Sequence, residues 1–176
     1  MKRNIALWQL VGFFVTCILG TLLHFLYDWT GGSILAAPFS GVNESTWEHM
    51  KLLYFPLLIF ALIESRYFKE YDGFWWIKLI GTLVGLIMIP VLFYTYNGVF
   101  GKSPDWVNIT IFFISAAVAF FIETLLFKKG NIRGNADWLP ILMIILIGAT
   151  FVVFTFKTPQ IPIFRDPING TYGVEK

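Results

Sequence analysis

The apolar residues of this chain come in blocks rather than in stripes. No charged side chain interrupts Ile5 to Tyr27 apart from the titratable His24, and the runs Leu79 to Tyr96, Trp106 to Ile122 and Trp138 to Phe156 are uncharged throughout. At about 1.5 Å of rise per residue, helices of this length reach across a hydrocarbon layer of roughly 30 Å. A fifth stretch, Trp47 to Glu64, is as long but polar in its first turn. Lipid offers no partner to an open backbone group, and a closed barrel would show an alternation that is absent here. The pattern predicts an all-α integral membrane bundle of five transmembrane helices, at about 5–27, 46–66, 75–96, 105–127 and 138–157.

Composition agrees with this reading. Only 14% of the residues are charged, against roughly 25% in a soluble domain. All seven tryptophans (Trp8, Trp29, Trp47, Trp75, Trp76, Trp106, Trp138) lie near an expected helix end, where an amphipathic indole sits at headgroup level. Lys2 and Arg3 ahead of the first helix resemble the start of a secretory signal. The apolar run that follows is too long for one, and no small-residue cleavage pattern succeeds it, so the helix is expected to stay.

Basic residues near helix ends set the expected orientation. With the N-terminus inside, the inner side receives Lys2, Arg3, Arg66, Lys69, Lys78, Lys128, Lys129 and Arg133, and the outer side Lys51, Lys102, Lys157, Arg165 and Lys176. This bias predicts a multi-pass protein of the cell membrane, N-terminus inside and C-terminus outside. The net charge of +2 reflects the same bias and gives no argument for nucleic acid. The single cysteine, Cys17, excludes an internal disulfide.

The chain reads as one transmembrane domain, 1–157, followed by an extracytoplasmic tail, 158–176, packed on its outer face. The tail "TPQIPIFRDPINGTYGVEK" has the prolines and Asn-Gly pair of an extended strap, with Ile161, Ile163, Phe164 and Tyr172 as apolar anchors. The connector "DWTGGSILAAPFSGVN" is long for a turn and partly apolar, which suits an interfacial or re-entrant piece covered by protein. Pro56 and Pro90 should kink helices 2 and 3. Gly81 and Gly85, four apart, allow close helix approach, either inside the bundle or in a homodimer.

The candidate chemistry is concentrated between His24 and Pro56. His24 and Asp28 share a face of helix 1, and Glu44 and Glu48 are spaced alike at helix 2, with Lys51 beside them. His49 lies over Ser45 instead. "STWE" is a capping box, in which Ser45 accepts from the Glu48 N–H and the Glu48 carboxylate reaches back to Ser45. Capping does not require the other ionisable groups, so an outward-facing polar pocket is the sharper expectation. His24, Asp28, Glu44, Glu48 and His49 are its candidate catalytic residues; Trp29, Asn43, Trp47, Lys51, Arg165 and Asp166 are its candidate ligand contacts.

Three chemistries stay open for the pocket: a divalent metal on His24, Asp28, Glu44 and Glu48, acid–base work with a histidine as base and Glu44 or Glu48 as acid, or capture of a polar or cationic ligand beside Tyr27, Trp29 and Trp47. The expected occupant is a small or lipid-like molecule, with membrane lipids around it. A solute-transport component or a structural subunit is the alternative. A second polar set at the inner end (Glu64, Arg66, Lys78, Glu123) reads as structural, with Lys78 paired to Glu123.

The blocks "LHFLYDW", "FSGVNESTWEHMKLLYFP" and "IPIFRDPINGTYG" resemble an uncharacterised family, a domain of unknown function, of small polytopic membrane proteins from Gram-positive, clostridia-like bacteria. The resemblance runs over nearly the whole chain and implies no activity. It puts the tail block on the same footing as the polar cluster, which suits Arg165 and Asp166 folding back over the pocket. Seven-helix membrane hydrolases with a three-histidine zinc site share a flavour in "NESTWEH", but two histidines cannot complete their metal set.

Overall fold

The computed structural model describes residues 4–68, 70–130, 132 and 138–174. Its helices are α1 (Ile5–Trp29), α2 (Thr46–Ser65), α3 (Phe74–Phe100), α4 (Asp105–Lys129) and α5 (Trp138–Phe156), followed by a short 3-10 turn, Pro162–Phe164. All five are long and apolar enough to cross a membrane, with mean hydropathy from 1.2 for α2 to 2.6 for α5. Among the described residues there is no strand, only an antiparallel bridge between Arg165 and Tyr172. Of the basic residues weighed for orientation, Lys2, Arg3, Lys69, Arg133 and Lys176 lie outside the described residues.

Local chemistry explains the helix ends. Asn4 and Ser45 cap α1 and α2 by accepting from the N–H of Leu7 and Glu48. Helix α3 runs four residues beyond the expected stop at Tyr96. Asn97 does not turn the chain, because its side-chain amide donates to the Phe93 carbonyl at 2.7 Å and its Oδ1 accepts from Ser103 N at 2.9 Å. The reversal falls instead to Gly101, at φ 83°, a backbone conformation that glycine adopts without steric cost. Pro56 and Pro90 leave α2 and α3 unbroken.

Helices α1 to α4 close into a ring of neighbours, and α5 leans on α3 and α2 from outside. Helix α2 is the least hydropathic span and also the most enclosed, 61% of it buried against 22% for α1 and α5. The two facts have one cause. Glu48, Lys51, Tyr54 and Glu64 are buried on α2, and polar groups in a membrane must find partners inside protein. Tyr54 donates to the Ile144 carbonyl of α5 at 2.6 Å.

Glycines set how closely the ring is drawn. A Cβ on Gly20 would lie 3.0 Å from the Leu52 carbonyl oxygen; this is the carbonyl that Pro56, lacking an N–H, leaves without a helical donor. Gly12 faces the rings of Phe60 and Phe120. Gly81 lies against Glu123, and Gly85 against Ala119, Ser115 and Leu53. Gly81 thus packs on α4, and Gly85 on α4 and α2, within the chain.

At the end of the bundle where α1 begins, four helices contribute to one buried polar network. Lys78 Nζ donates to Glu64 Oε2 at 2.9 Å and to Glu123 Oε2, and Gln9 Nε2 donates to Glu64 Oε1 at 2.6 Å. All four side chains are buried, and the ammonium lies near the Phe60 and Phe120 rings. The expected Lys78–Glu123 pair is present, enlarged by Glu64 and Gln9, while Arg66 is exposed and apart. Breaking a buried pair on one side leaves an uncompensated charge, whereas removing all the charges together is close to neutral. Lys78→Met should therefore lose about 3–5 kcal/mol of unfolding free energy in mild detergent. The triple variant with Glu64→Gln and Glu123→Gln should recover most of it. A silent Lys78→Met would contradict the network.

Candidate functional site

The opposite end of the bundle holds the residues that the sequence singled out, and the fold sorts them into two groups. The first is structural. Lys51 is fully buried, and its ammonium meets Glu48 Oε2 at 2.5 Å, the Ala37 carbonyl at 2.8 Å and Thr155 Oγ1 at 3.1 Å. Glu48 also accepts from Val42 N at 3.1 Å. One ion pair on α2 thereby holds two points of the connector and the last turn of α5. The capping box is realised by half: Ser45 caps Glu48 N, but the Glu48 carboxylate goes to Val42 and Lys51. Ser45 N donates instead to Asn43 Oδ1 at 2.9 Å.

The connector is pinned to α1 as well. The Ser40 hydroxyl accepts from Tyr27 N at 2.8 Å and donates to the Leu23 carbonyl at 2.5 Å. It is inserted between the two backbone groups that would otherwise bond each other across one helical turn. Within the connector Ala36, Ala37 and Pro38 are buried while Ile34 and Leu35 are exposed.

The tail closes over this assembly. Phe164 is buried, its ring 4.6 Å from Trp47 and 5.5 Å from Phe154 between centroids. Asp166, also buried, accepts through Oδ2 from Glu44 N at 3.1 Å and through Oδ1 from Ile168 N and Asn169 N. Asn43 Nδ2 donates to the Gly173 carbonyl at 3.1 Å. Arg165 bridges to Tyr172 and stays exposed. Four of the expected ligand contacts (Asn43, Trp47, Lys51 and Asp166) therefore bind other parts of the protein, and none of the six lines the cavity described next. Trp29 is exposed and stacks on Phe25.

The second group faces open space. Glu44 lies between two imidazoles, with Oε1 3.6 Å from His24 Nε2 and Oε2 3.6 Å from His49 Nε2. Glu44 reaches them because it precedes the cap of α2 and lies outside the helix; the four-residue spacing to Glu48 has no helical meaning there. His49 Nδ1 is 3.0 Å from the Ser45 carbonyl. A carbonyl only accepts, so Nδ1 carries the proton, and a neutral His49 ring turns its Nε2 lone pair toward Glu44. A carboxylate flanked by two imidazoles in this way can hold a proton for either ring and pass it between them.

These three side chains line a cavity of about 460 Å³ between α1 and α4. Its other polar lining comes from Thr21, Asp105 and Asn108, and its apolar walls from Gly20, Phe25, Leu52, Ile109, Phe112, Phe113 and Ile168. Phe25, Ile109 and Phe113 are exposed on the flank of the bundle, so the groove opens sideways as well as at its polar end. Sequence reasoning missed Asp105 and Asn108, which read as ordinary residues at a helix start. The available signal was that α4, like α2, begins with polar side chains at the same end of the bundle.

Asp28 and Glu48 stand apart from this group. Asp28 is exposed in the last turn of α1 and makes no side-chain hydrogen bond or ion pair among the described residues. It shares a face with His24 but stands about 6 Å further along the axis, at the open end. The ligand set His24, Asp28, Glu44 and Glu48 is thus not assembled, since Glu48 is held by Lys51. No group of three or more His, Cys, Asp or Glu among the described residues is placed to hold a metal ion.

Because Asp166 fixes the backbone of Glu44, Asp166→Ala should free the strap and disorder Glu44 together. Loss of such a charged acceptor costs about 1.5–3 kcal/mol. Amide hydrogen exchange should rise at Glu44 and across 166–173 while α3 and α4 stay protected; unchanged exchange at Glu44 would refute the coupling.

No curated protein and no solved structure matches this chain. A family model does, across residues 1–174. The chain belongs to that family, the family of unknown function DUF6512.

Proposed function

We propose that this protein is a multi-pass protein of the cell membrane, N-terminus inside, that takes an amphipathic small molecule into the groove between α1 and α4. The supporting observation is the composition of that groove: Glu44, His24 and His49 at one end, and aromatic and aliphatic walls opening on the flank. A ligand site of this kind combines an apolar body with a few convergent polar groups. In the proposed orientation the connector and strap lie outside the cell, and the ligand's polar end faces outward. Its apolar part lies along Phe25, Ile109 and Phe113, where it exchanges with lipid chains.

A second reading, chemical turnover at the same place, is supported by the fixed His49 tautomer. The ring is held by Ser45, its free nitrogen faces Glu44, and His24 faces the same carboxylate. That is the disposition of a base and its proton relay. Binding is the shared first step of both readings.

Native mass spectrometry of the protein released from its own membrane tests the binding reading. The wild type should carry one amphiphile per chain, and Thr21→Trp or Ile109→Trp, which fill the groove from α1 or α4, should lose it while melting as the wild type does. A wild type with no adduct, or variants that keep it, would overturn the proposal.

A further inference from the structure

We infer that the polar end of the groove selects a cationic head, so that the ligand is an amphiphile carrying an ammonium group. This rests on the groove being a ligand site and adds the chemistry of its occupant. The acidic side chains in the lining are Glu44 and Asp105; no lysine or arginine lines it. Asp105 stands in the first turn of α4, where the helix dipole favours a negative charge.

Of the cations at this end, Lys102 is exposed three residues before Asp105 and lines no part of the groove, and two others are committed elsewhere. Lys51, two residues from His49 in sequence, is fully buried and held by Glu48, Ala37 and Thr155. Arg165 folds along the tail, its guanidinium beside Gly170. An anionic head such as a phosphate would meet two carboxylates and no fixed positive charge, and like-charge juxtaposition excludes wrong partners effectively.

The walls favour a cation too. Phe25 lies beside His24, ring centroids 5.0 Å apart, where the groove passes from its polar end to its apolar wall, and aromatic faces attract an ammonium group through their quadrupole. One imidazole completes the selection. His49, its Nδ1 proton given to Ser45, adds an acceptor beside Glu44 through its Nε2. An ammonium head can then be held by Glu44 and Asp105 while its chain follows Ile109 toward the flank.

The test uses the full chain in phosphatidylcholine nanodiscs and three chain-matched probes: dodecylammonium, dodecanol and dodecyl phosphate. Saturable binding is measured against empty nanodiscs of the same lipid. Dodecylammonium should bind at least about tenfold more tightly than the other two, the scale of one charged contact. The Glu44→Gln, Asp105→Asn double variant should bring it to the level of dodecanol. Dodecanol or dodecyl phosphate binding as tightly as dodecylammonium would overturn the charge selection and leave the groove standing. Saturable binding by none of the three would remove the groove as a ligand site and this inference with it.

Discussion

The ammonium of Lys51 is the constraint around which this end of the molecule is arranged. A lysine in a membrane protein ordinarily extends its stem and places its charge at the interface. Here the charge is fully buried and met by Glu48, a connector carbonyl and a hydroxyl of α5. An ion so enclosed is tolerable only when its hydrogen-bonding capacity is satisfied, and satisfying it draws the connector inward at Ala37. Glu48, the partner, draws it inward again at Val42. Glu44 follows two residues later and is left on the far side, toward His24 and His49. The site is therefore a consequence of a structural ion pair that lies outside it.

The bundle places two polar centres at its opposite ends. Gln9 and His24 are separated by 15 residues on α1, and Glu64 and His49 by 15 on α2, about 22 Å in each case. Between them α1 presents Gly12 to the rings of Phe60 and Phe120, a closely packed middle. The Lys78 centre is sealed and joins four helices. The Glu44 centre is joined to a cavity. The difference in surroundings, rather than in residue types, separates the structural role of the one from the binding role proposed for the other.

The five spans were legible because membrane insertion imposes a length and an apolarity that few other constraints mimic. The meeting of His24, Glu44 and His49 was legible because a short connector must bring the end of α1 beside the start of α2. Helical spacing misled at Asp28, which has the right face and the wrong height, and at Glu44, which is outside the helix whose spacing was applied to it. Lys51 and Asp166 were recognised as special but assigned to a ligand, since sequence does not distinguish a charge that binds the fold from one that binds a guest. Asp105 and Asn108 stayed hidden because the groove joins α1 to α4, some 80 residues away in the chain.

Solid-state NMR of the protein in lipid bilayers, with lysine Nζ and backbone carbonyls labelled, tests the buried state of Lys51 most directly. The account predicts a through-space contact between Lys51 Nζ and the Ala37 carbonyl carbon, consistent with the 2.8 Å hydrogen bond, together with slow exchange of the Lys51 ammonium with water. A Lys51 ammonium in rapid exchange with water, without a contact to Ala37, would contradict it.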